Sequence, residues 1–252
     1  EIARYRAIDP IVQLEVDDSV LYSKYYDSAN KIISNILDIK SSDMELTISE
    51  YVIEPKTDAI ADWQAIEPID TRQVELINEF FVECLKSDKR TVLLGEDIES
   101  PYGGAFKVYR NLSDLYPEQV ITTPISEAGI SGVANGLALA GMRPYVEFMF
   151  GDFVTLAFDQ IVNHASKYKW IYNNKVSVPV LIRTPVGGRR GYGPTHSQSL
   201  EKHFLGVPGL WVVAPNVTGN PGELLRQATL ECDDPVLFVE DKSFYGKELF
   251  HN

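Results

Sequence analysis

Cysteine is nearly absent from this chain. Only two occur in 252 residues, Cys84 and Cys232, far apart and in no metal-ligand spacing. That count excludes a disulfide framework and a thiolate metal site, and both residues read as free thiols in a reducing compartment. Long apolar runs are missing as well, so no segment is expected to span a bilayer. Basic charge is scarce. With 23 Lys and Arg against 36 Asp and Glu, the net charge is −13, which argues against nucleic acid as a partner. No internal repeat, low-complexity tract or signal-peptide pattern occurs. The first residue is Glu rather than Met, from which a fragment or a processed chain is expected.

What is present is a core-forming composition, 44% hydrophobic, enough for one sizeable core and a smaller appendage. The charge is uneven: residues 1–70 carry −9 of the −13. This divides the chain into an acidic helical leader and linker over 1–70 and a nearly neutral domain over 71–252. In the leader, Val20, Leu21, Tyr25, Ile32, Ile33 and Ile36 give Asp17–Leu37 a weak helical stripe. Pro55 and Pro68 bracket a linker or lightly packed arm.

From Asp70 the pattern changes. Asp70 or Thr71 caps a helix reaching Lys86, with Val74, Ile77, Phe81, Cys84 and Leu85 inward. Strands are expected at Thr91–Leu94, Val120–Thr122, Arg143–Phe148, Pro179–Thr184, Leu210–Ala214 and Val236–Glu240, with helices at Ser126–Ala140, Thr155–Lys169 and Gly222–Leu230. Strands apolar on both faces, alternating with helices, predict an α/β fold: a mostly parallel sheet with helices on both faces. Ligands in such folds bind beyond the strand carboxyl ends.

Several segments at those ends carry chemistry-bearing residues. Glu127 opens a helix of small residues, Ser126–Gly141. By itself it reads either as a partner of the helix dipole or, if buried, as a carboxyl poised to share a proton with a ring nitrogen. Phe150 and Phe153 are a stacking platform for a flat ring or two core aromatics. Gly103-Gly104 is a turn, or a place for backbone to approach a ligand. The loop from Thr184 to Gln198 contains four glycines and two arginines and delivers His196, the side chain suited to proton transfer near neutral pH.

Other chemistries fail on missing partners. Without a Gly-x-Ser-x-Gly elbow, a serine hydrolase is not supported. His196 and His203 lack further ligands at metal spacing, so no metal site is assigned. Gly151-Asp152 followed by Asn173-Asn174 approaches the Gly-Asp-Gly…Asn-Asn pattern that binds magnesium diphosphate, but Phe153 stands where the second glycine is needed.

The ordered segments Leu94–Asp97, Tyr102–Lys107, Thr123–Glu127, Glu147–Phe153, Phe158–Asn163 and His196–Gln198 resemble, in order and spacing, one family. This is the beta subunit of the thiamine-diphosphate-dependent decarboxylating component of 2-oxo acid dehydrogenase complexes. The resemblance covers about residues 71–250. Tyr5–Ile11 looks like the end of the alpha subunit of the same component, implying a fused alpha–beta chain with the acidic leader as its junction.

The resemblance implies a thiamine-diphosphate-binding fold with a transketolase-like pyrimidine-binding domain at 71–252. It implies oxidative decarboxylation of a 2-oxo acid with acyl transfer to a lipoyl group. Glu127 matches the glutamate that hydrogen-bonds N1′ of the cofactor's aminopyrimidine. Phe153 matches the aromatic stacked on that ring, with Met149 or Phe150 covering the other face. His196 matches the histidine that assists reductive acylation. The implied cofactors are thiamine diphosphate and magnesium, the metal held by a partner domain not in this chain. Implied partners are the alpha, diphosphate-binding part and a lipoyl-bearing acyltransferase, in a homo- or hetero-oligomer, without nucleic acid or membrane. Location would be bacterial cytoplasm or an organelle matrix. A transketolase-like or acetoin-cleaving enzyme of the same fold and a non-catalytic assembly fragment are the alternatives. Retention of Glu127, Phe153 and His196 together weighs against the last.

Overall fold

The computed structural model describes residues 4–8, 11–15, 68–188, 191–216, 219–230 and 232–250. It divides into two compact units, Glu1–Asp62 and Trp63–Asn252. In the first, β1 (Arg4–Ile8) and β2 (Ile11–Glu15) pair antiparallel, with Ile8 opposite Ile11. The leader expected to be helical therefore opens with a strand pair, and the polar–apolar alternation of Arg4-Tyr5-Arg6-Ala7 is the matching period of two. The helix expected at Asp17–Leu37 and the arm between Pro55 and Trp63 lie outside the described residues.

The second unit begins with β3 (Pro68–Arg72), which pairs antiparallel with β10 (Glu248–Phe250). Helix α1 (Gln73–Ser87) follows. Its start corrects the expected Asp70 or Thr71 cap. Arg72 is the N-cap; its own N–H donates to Glu75 Oε2 at 3.2 Å. The free first-turn donors go elsewhere: Gln73 N–H to the Lys247 carbonyl at 3.0 Å and Val74 N–H to the Tyr245 carbonyl at 3.2 Å. The C-terminal segment thus does the work of a capping side chain. The buried stripe of α1 is Leu76, Ile77, Phe80, Phe81, Cys84 and Leu85, the spacing of an amphipathic helix, whereas Val74 is only partly buried.

The central sheet has six strands: β4 (Thr91–Gly95), β5 (Val120–Thr122), β6 (Arg143–Glu147), β7 (Leu181–Val186), β8 (Trp211–Val213) and β9 (Val236–Asp241). Their spatial order is β5-β4-β6-β7-β9-β8, and every pair is parallel. Strands β4 and β7 are buried at every residue, as a sheet covered on both faces requires. The alternating side chains feed two cores. Leu93, Tyr145, Leu181, Val236 and Phe238 pack with α1 and with Leu225 of α5 (Pro221–Leu230). Val92, Leu94, Val146, Ile182, Leu237 and Val239 pack with Ile130, Ala134 and Ala138 of α3 (Glu127–Leu139) and with Ile161. The short helix α2 (Leu112–Leu115) precedes β5.

One expected helix is irregular. Thr155–Lys169 is a 3-10 helix over Gly151–Ala157, a π turn over Gln160–Ala165 and α4 over Ser166–Ile171. The Gln160 carbonyl accepts the side-chain amide of Asn135 at 3.0 Å, so a carbonyl of this stretch is bound to the neighbouring α3. A widened turn at such a place is a common departure from the regular ladder.

Candidate functional site

Every sequence-predicted site residue follows the carboxyl end of a sheet strand. Glu127 comes after β5, Met149, Phe150 and Phe153 after β6, and His196 after β7. Glu127 occupies the first turn of α3, where Ser126 is the N-cap and its Oγ accepts the Gly129 N–H at 3.2 Å. A Cβ on Gly129 would come within 2.9 Å of that oxygen, so a larger residue there would require the Ser126 side chain to shift. Glu127 is only 5% exposed. A carboxyl at a helix start gains from the dipole, but burial takes it out of water and makes it more than a surface acid.

Glu127 has an acidic neighbour. Glu96 stands just past β4, the strand beside β5 in the sheet. It is 9% exposed, and its Oε1 finds no hydrogen-bond partner among the described residues. Burial pushes its pKa up, and the charges of Glu127 and Asp97 push it further in the same direction. A buried oxygen left unsatisfied beside a second acid is costly in an isolated chain, and it is the kind of exception that marks a site.

The rings form a second group. Phe150 and Phe153 meet edge to face at 6.0 Å, and the His196 ring lies 4.8 Å from Phe150 and 5.2 Å from Phe153. Phe150 also touches Tyr192 at 5.3 Å and Phe106 at 6.4 Å. Met149, Phe150, Tyr192, Tyr102 and Phe106, with Gly104, line a cavity of about 430 Å³, within the range that holds small ligands. The structure therefore brings Met149 and Phe150 to the cavity and joins Phe150, Phe153 and His196 in one aromatic cluster. Glu127 belongs instead with Glu96.

His196 rides on a loop fastened at several points. Thr195 Oγ1 lies 3.0 Å from His196 Nδ1. Gln198 Nε2 donates to Asp152 Oδ1 at 2.7 Å, and the Gly187 N–H reaches the Gln198 carbonyl at 3.4 Å. Asp152 is thus engaged in holding this loop. Arg189 and Arg190, noted in the sequence, lie outside the described residues.

Beneath the cavity is a buried charge network that composition did not reveal. Arg183 on β7 is fully buried, opposite Glu147 of β6 in register. It pairs with Glu147 and with Glu240 of β9, to which its Nε donates at 2.9 Å, and its NH2 reaches Tyr245 Oη at 3.2 Å. Burial works against the guanidinium's charge, yet Glu240 first, then Tyr109 and Tyr245, hold its pKa well above the ordinary value. Burial lifts the Tyr109 phenol to about 12. Glu147 Oε1 also accepts the Ala105 N–H at 2.6 Å. Gly104 fits above it only because it lacks a side chain: its φ is +73°, and a Cβ would stand 2.5 Å from Glu147 Oε1. The signals were there to see, namely single charged residues inside apolar strands, Tyr-Val-Glu, Leu-Ile-Arg and Phe-Val-Glu. Cys84 is buried, with its thiol pushed up to about 11, and is chemically quiet.

Comparison with known proteins places this geometry. The family model described as transketolase, pyrimidine binding domain, matches residues 67–247. The mitochondrial pyruvate dehydrogenase E1 component subunit beta-2 of Oryza sativa subsp. japonica is 37% identical over 199 residues, covering 77% of this chain and 52% of that protein. The 2-oxoisovalerate dehydrogenase subunit beta of Bacillus subtilis (strain 168) is 39% identical over 173 residues, covering 68% and 52% respectively. The chain thus spans about half the length of these relatives. A solved structure, "Split gene transketolase, inactive beta4 tetramer", superposes with a TM-score of 0.52 at 24% identity, over 66% of this chain and 50% of that one, a likeness of fold. With the family model spanning the whole parallel sheet and the strand ends that carry Glu127, Phe153 and His196, the chain belongs to the transketolase pyrimidine-binding-domain family.

Proposed function

We propose that this chain supplies the pyrimidine-activating half of a thiamine-diphosphate site that oxidatively decarboxylates a 2-oxo acid and passes the acyl group to a lipoyl group. The observation that carries the proposal is Glu127, buried in the first turn of α3 beside Glu96, whose Oε1 has no hydrogen-bond partner among the described residues. A buried acid suits a basic ring nitrogen, and the aromatic wall of the separate cavity suits a flat ring. When bound, thiamine diphosphate supplies the electron sink that protein side chains lack.

The chain's own residues would act as follows. Glu127 holds a proton at N1′ of the aminopyrimidine, in an environment where few waters compete for it. Phe153 offers its ring face to the pyrimidine, and Met149 and Phe150 close the apolar wall. His196 moves a proton in the acyl transfer to the lipoyl group. Magnesium and the diphosphate fall to a partner domain, because Asp152 is already bonded to Gln198 and no glycine follows it. The alpha part of the same component, a lipoyl-bearing acyltransferase and further copies of the chain complete the assembly, in bacterial cytoplasm or an organelle matrix.

The test uses the full-length protein with its diphosphate-binding part, thiamine diphosphate and magnesium. Pyruvate, the branched-chain 2-oxo acids and acetoin are offered in turn, and reduction of an artificial electron acceptor is followed. Reduction dependent on a 2-oxo acid is expected. Cofactor binding without turnover of any 2-oxo acid would contradict the proposal, and turnover of acetoin alone would redirect it.

A further inference from the structure

Lys242 is fully buried and follows the last residue of β9. Its N–H donates to the Val186 carbonyl at 3.0 Å, which ties it to the end of β7, where the His196 loop begins. Its ammonium donates to the main-chain carbonyl of His196. The same nitrogen lies 5.0 Å from the Phe150 ring centre and 5.3 Å from that of Tyr192, cation–π geometry. One side chain therefore touches the histidine's backbone and two rings of the cavity wall.

An ammonium taken out of water is costly unless its hydrogen bonds and charge are met. An apolar side chain would fill the same space at less cost, but it could not hold a carbonyl. The carbonyl it holds needs holding. Gly191 and Gly193, just before His196, have φ of +76° and +81°, and a Cβ on either would meet nothing within 4 Å. Between the two glycines, Tyr192 supplies the packing, on Phe106 and Phe150. Asp152 secures the loop two residues further on, at Gln198.

We infer that Lys242 is a positioning residue: by gripping the His196 carbonyl while seated against Phe150 and Tyr192, it sets where the His196 imidazole stands over the aromatic wall. The inference rests on the proposed function, in which His196 serves acyl transfer to the lipoyl group and no step of decarboxylation is assigned to it. The two half-reactions can then be separated.

The experiment compares wild type, Lys242→Met and Lys242→Arg in the complete enzyme. Each is assayed for 2-oxo-acid-dependent reduction of an artificial acceptor and for reductive acylation of an isolated lipoyl domain. Misplacing a reacting group by about 1 Å can cost about 100-fold. Lys242→Met is therefore expected to lose about 10- to 100-fold in lipoyl acylation, with acceptor reduction within about twofold of wild type. Lys242→Arg, which keeps the charge and the donors, should restore most of the acylation rate. Without any substrate, the rate of His196 carbethoxylation, read by peptide mass, should change in Lys242→Met while that of His164 does not. Equal losses in both assays, or no change in either, overturn the inference. If both Lys242 variants fail to fold, Tyr192→Leu, which removes one ring from the lysine's seat, is read by His196 carbethoxylation alone: a changed rate supports the inference, and an unchanged rate overturns it. If wild type turns over no 2-oxo acid, the proposed function fails, and the carbethoxylation comparison still decides the role of Lys242.

Discussion

Glu96 and Glu127 show how much rests on single carboxyl groups. They sit past neighbouring strands, both buried, and Glu96 Oε1 has no hydrogen-bond partner among the described residues. Burial first, then the Glu127 and Asp97 charges, raise the Glu96 pKa. A carboxyl whose folded pKa lies above its unfolded value contributes stability that is complete below the ordinary carboxylate range. That contribution is lost as pH rises through the folded value. Glu96→Gln removes the ionisation. Relative to wild type, the variant should gain stability as pH is raised from the ordinary carboxylate range towards neutral, and show no gain in acid. Urea unfolding of both proteins across that range checks this; a gain that does not vary with pH would contradict it. Glu127 was legible in the sequence because Thr-Pro-Ile-Ser-Glu stands among other segments in a fixed order. Glu96 lay within one of those segments but looked like part of a turn, because burial depends on which strands are neighbours. Lys242 left no signal, since the direction of a side chain just past a strand end is set by its tertiary surroundings.

At the scale of elements, the apolar strands and the stripe of α1 were readable because burial on two faces or one leaves a period in the sequence. Strand ends moved by a residue or two, as for β7, which begins at Leu181 rather than Pro179. Proline cannot donate to a ladder. The pairing of β3 with β10 joins residues far apart in the chain, and no local pattern announces it. Within the irregular stretch over Gly151–Ile171, the Gln160 carbonyl is bound to Asn135 of α3, a partner that a periodicity cannot contain. Strands β6, β7 and β9 are tied by Arg183, paired with Glu147 and Glu240, all three buried. Removing one partner of such a network strands the others. Arg183→Met is therefore expected to cost about 3–5 kcal/mol of stability, measured by urea unfolding of the variant. It should also loosen the Gly103–Lys107 loop, because Glu147 holds the Ala105 N–H. A cost below about 1 kcal/mol, typical of a surface pair, would contradict this account.

At the scale of the molecule, a six-stranded parallel sheet gathers groups distant in sequence along one edge, the carboxyl ends of its strands. That architecture explains why segments individually weak became specific together: each is short, and the sheet alone makes them neighbours. The chain covers about half the length of relatives named as beta subunits. The acidic leader was legible in charge, but its opening strand pair was not, because a hairpin of five-residue strands carries too little pattern to outweigh the helical stripe after it. The claim on which the account depends is that Glu127 protonates and holds the pyrimidine. The direct test is Glu127→Gln in the full-length enzyme, loaded with thiamine diphosphate and magnesium, with 2-oxo-acid-dependent acceptor reduction and thermal unfolding measured together. The account predicts loss of activity by at least about 100-fold with the unfolding midpoint little changed. Wild-type rates in that variant would contradict it.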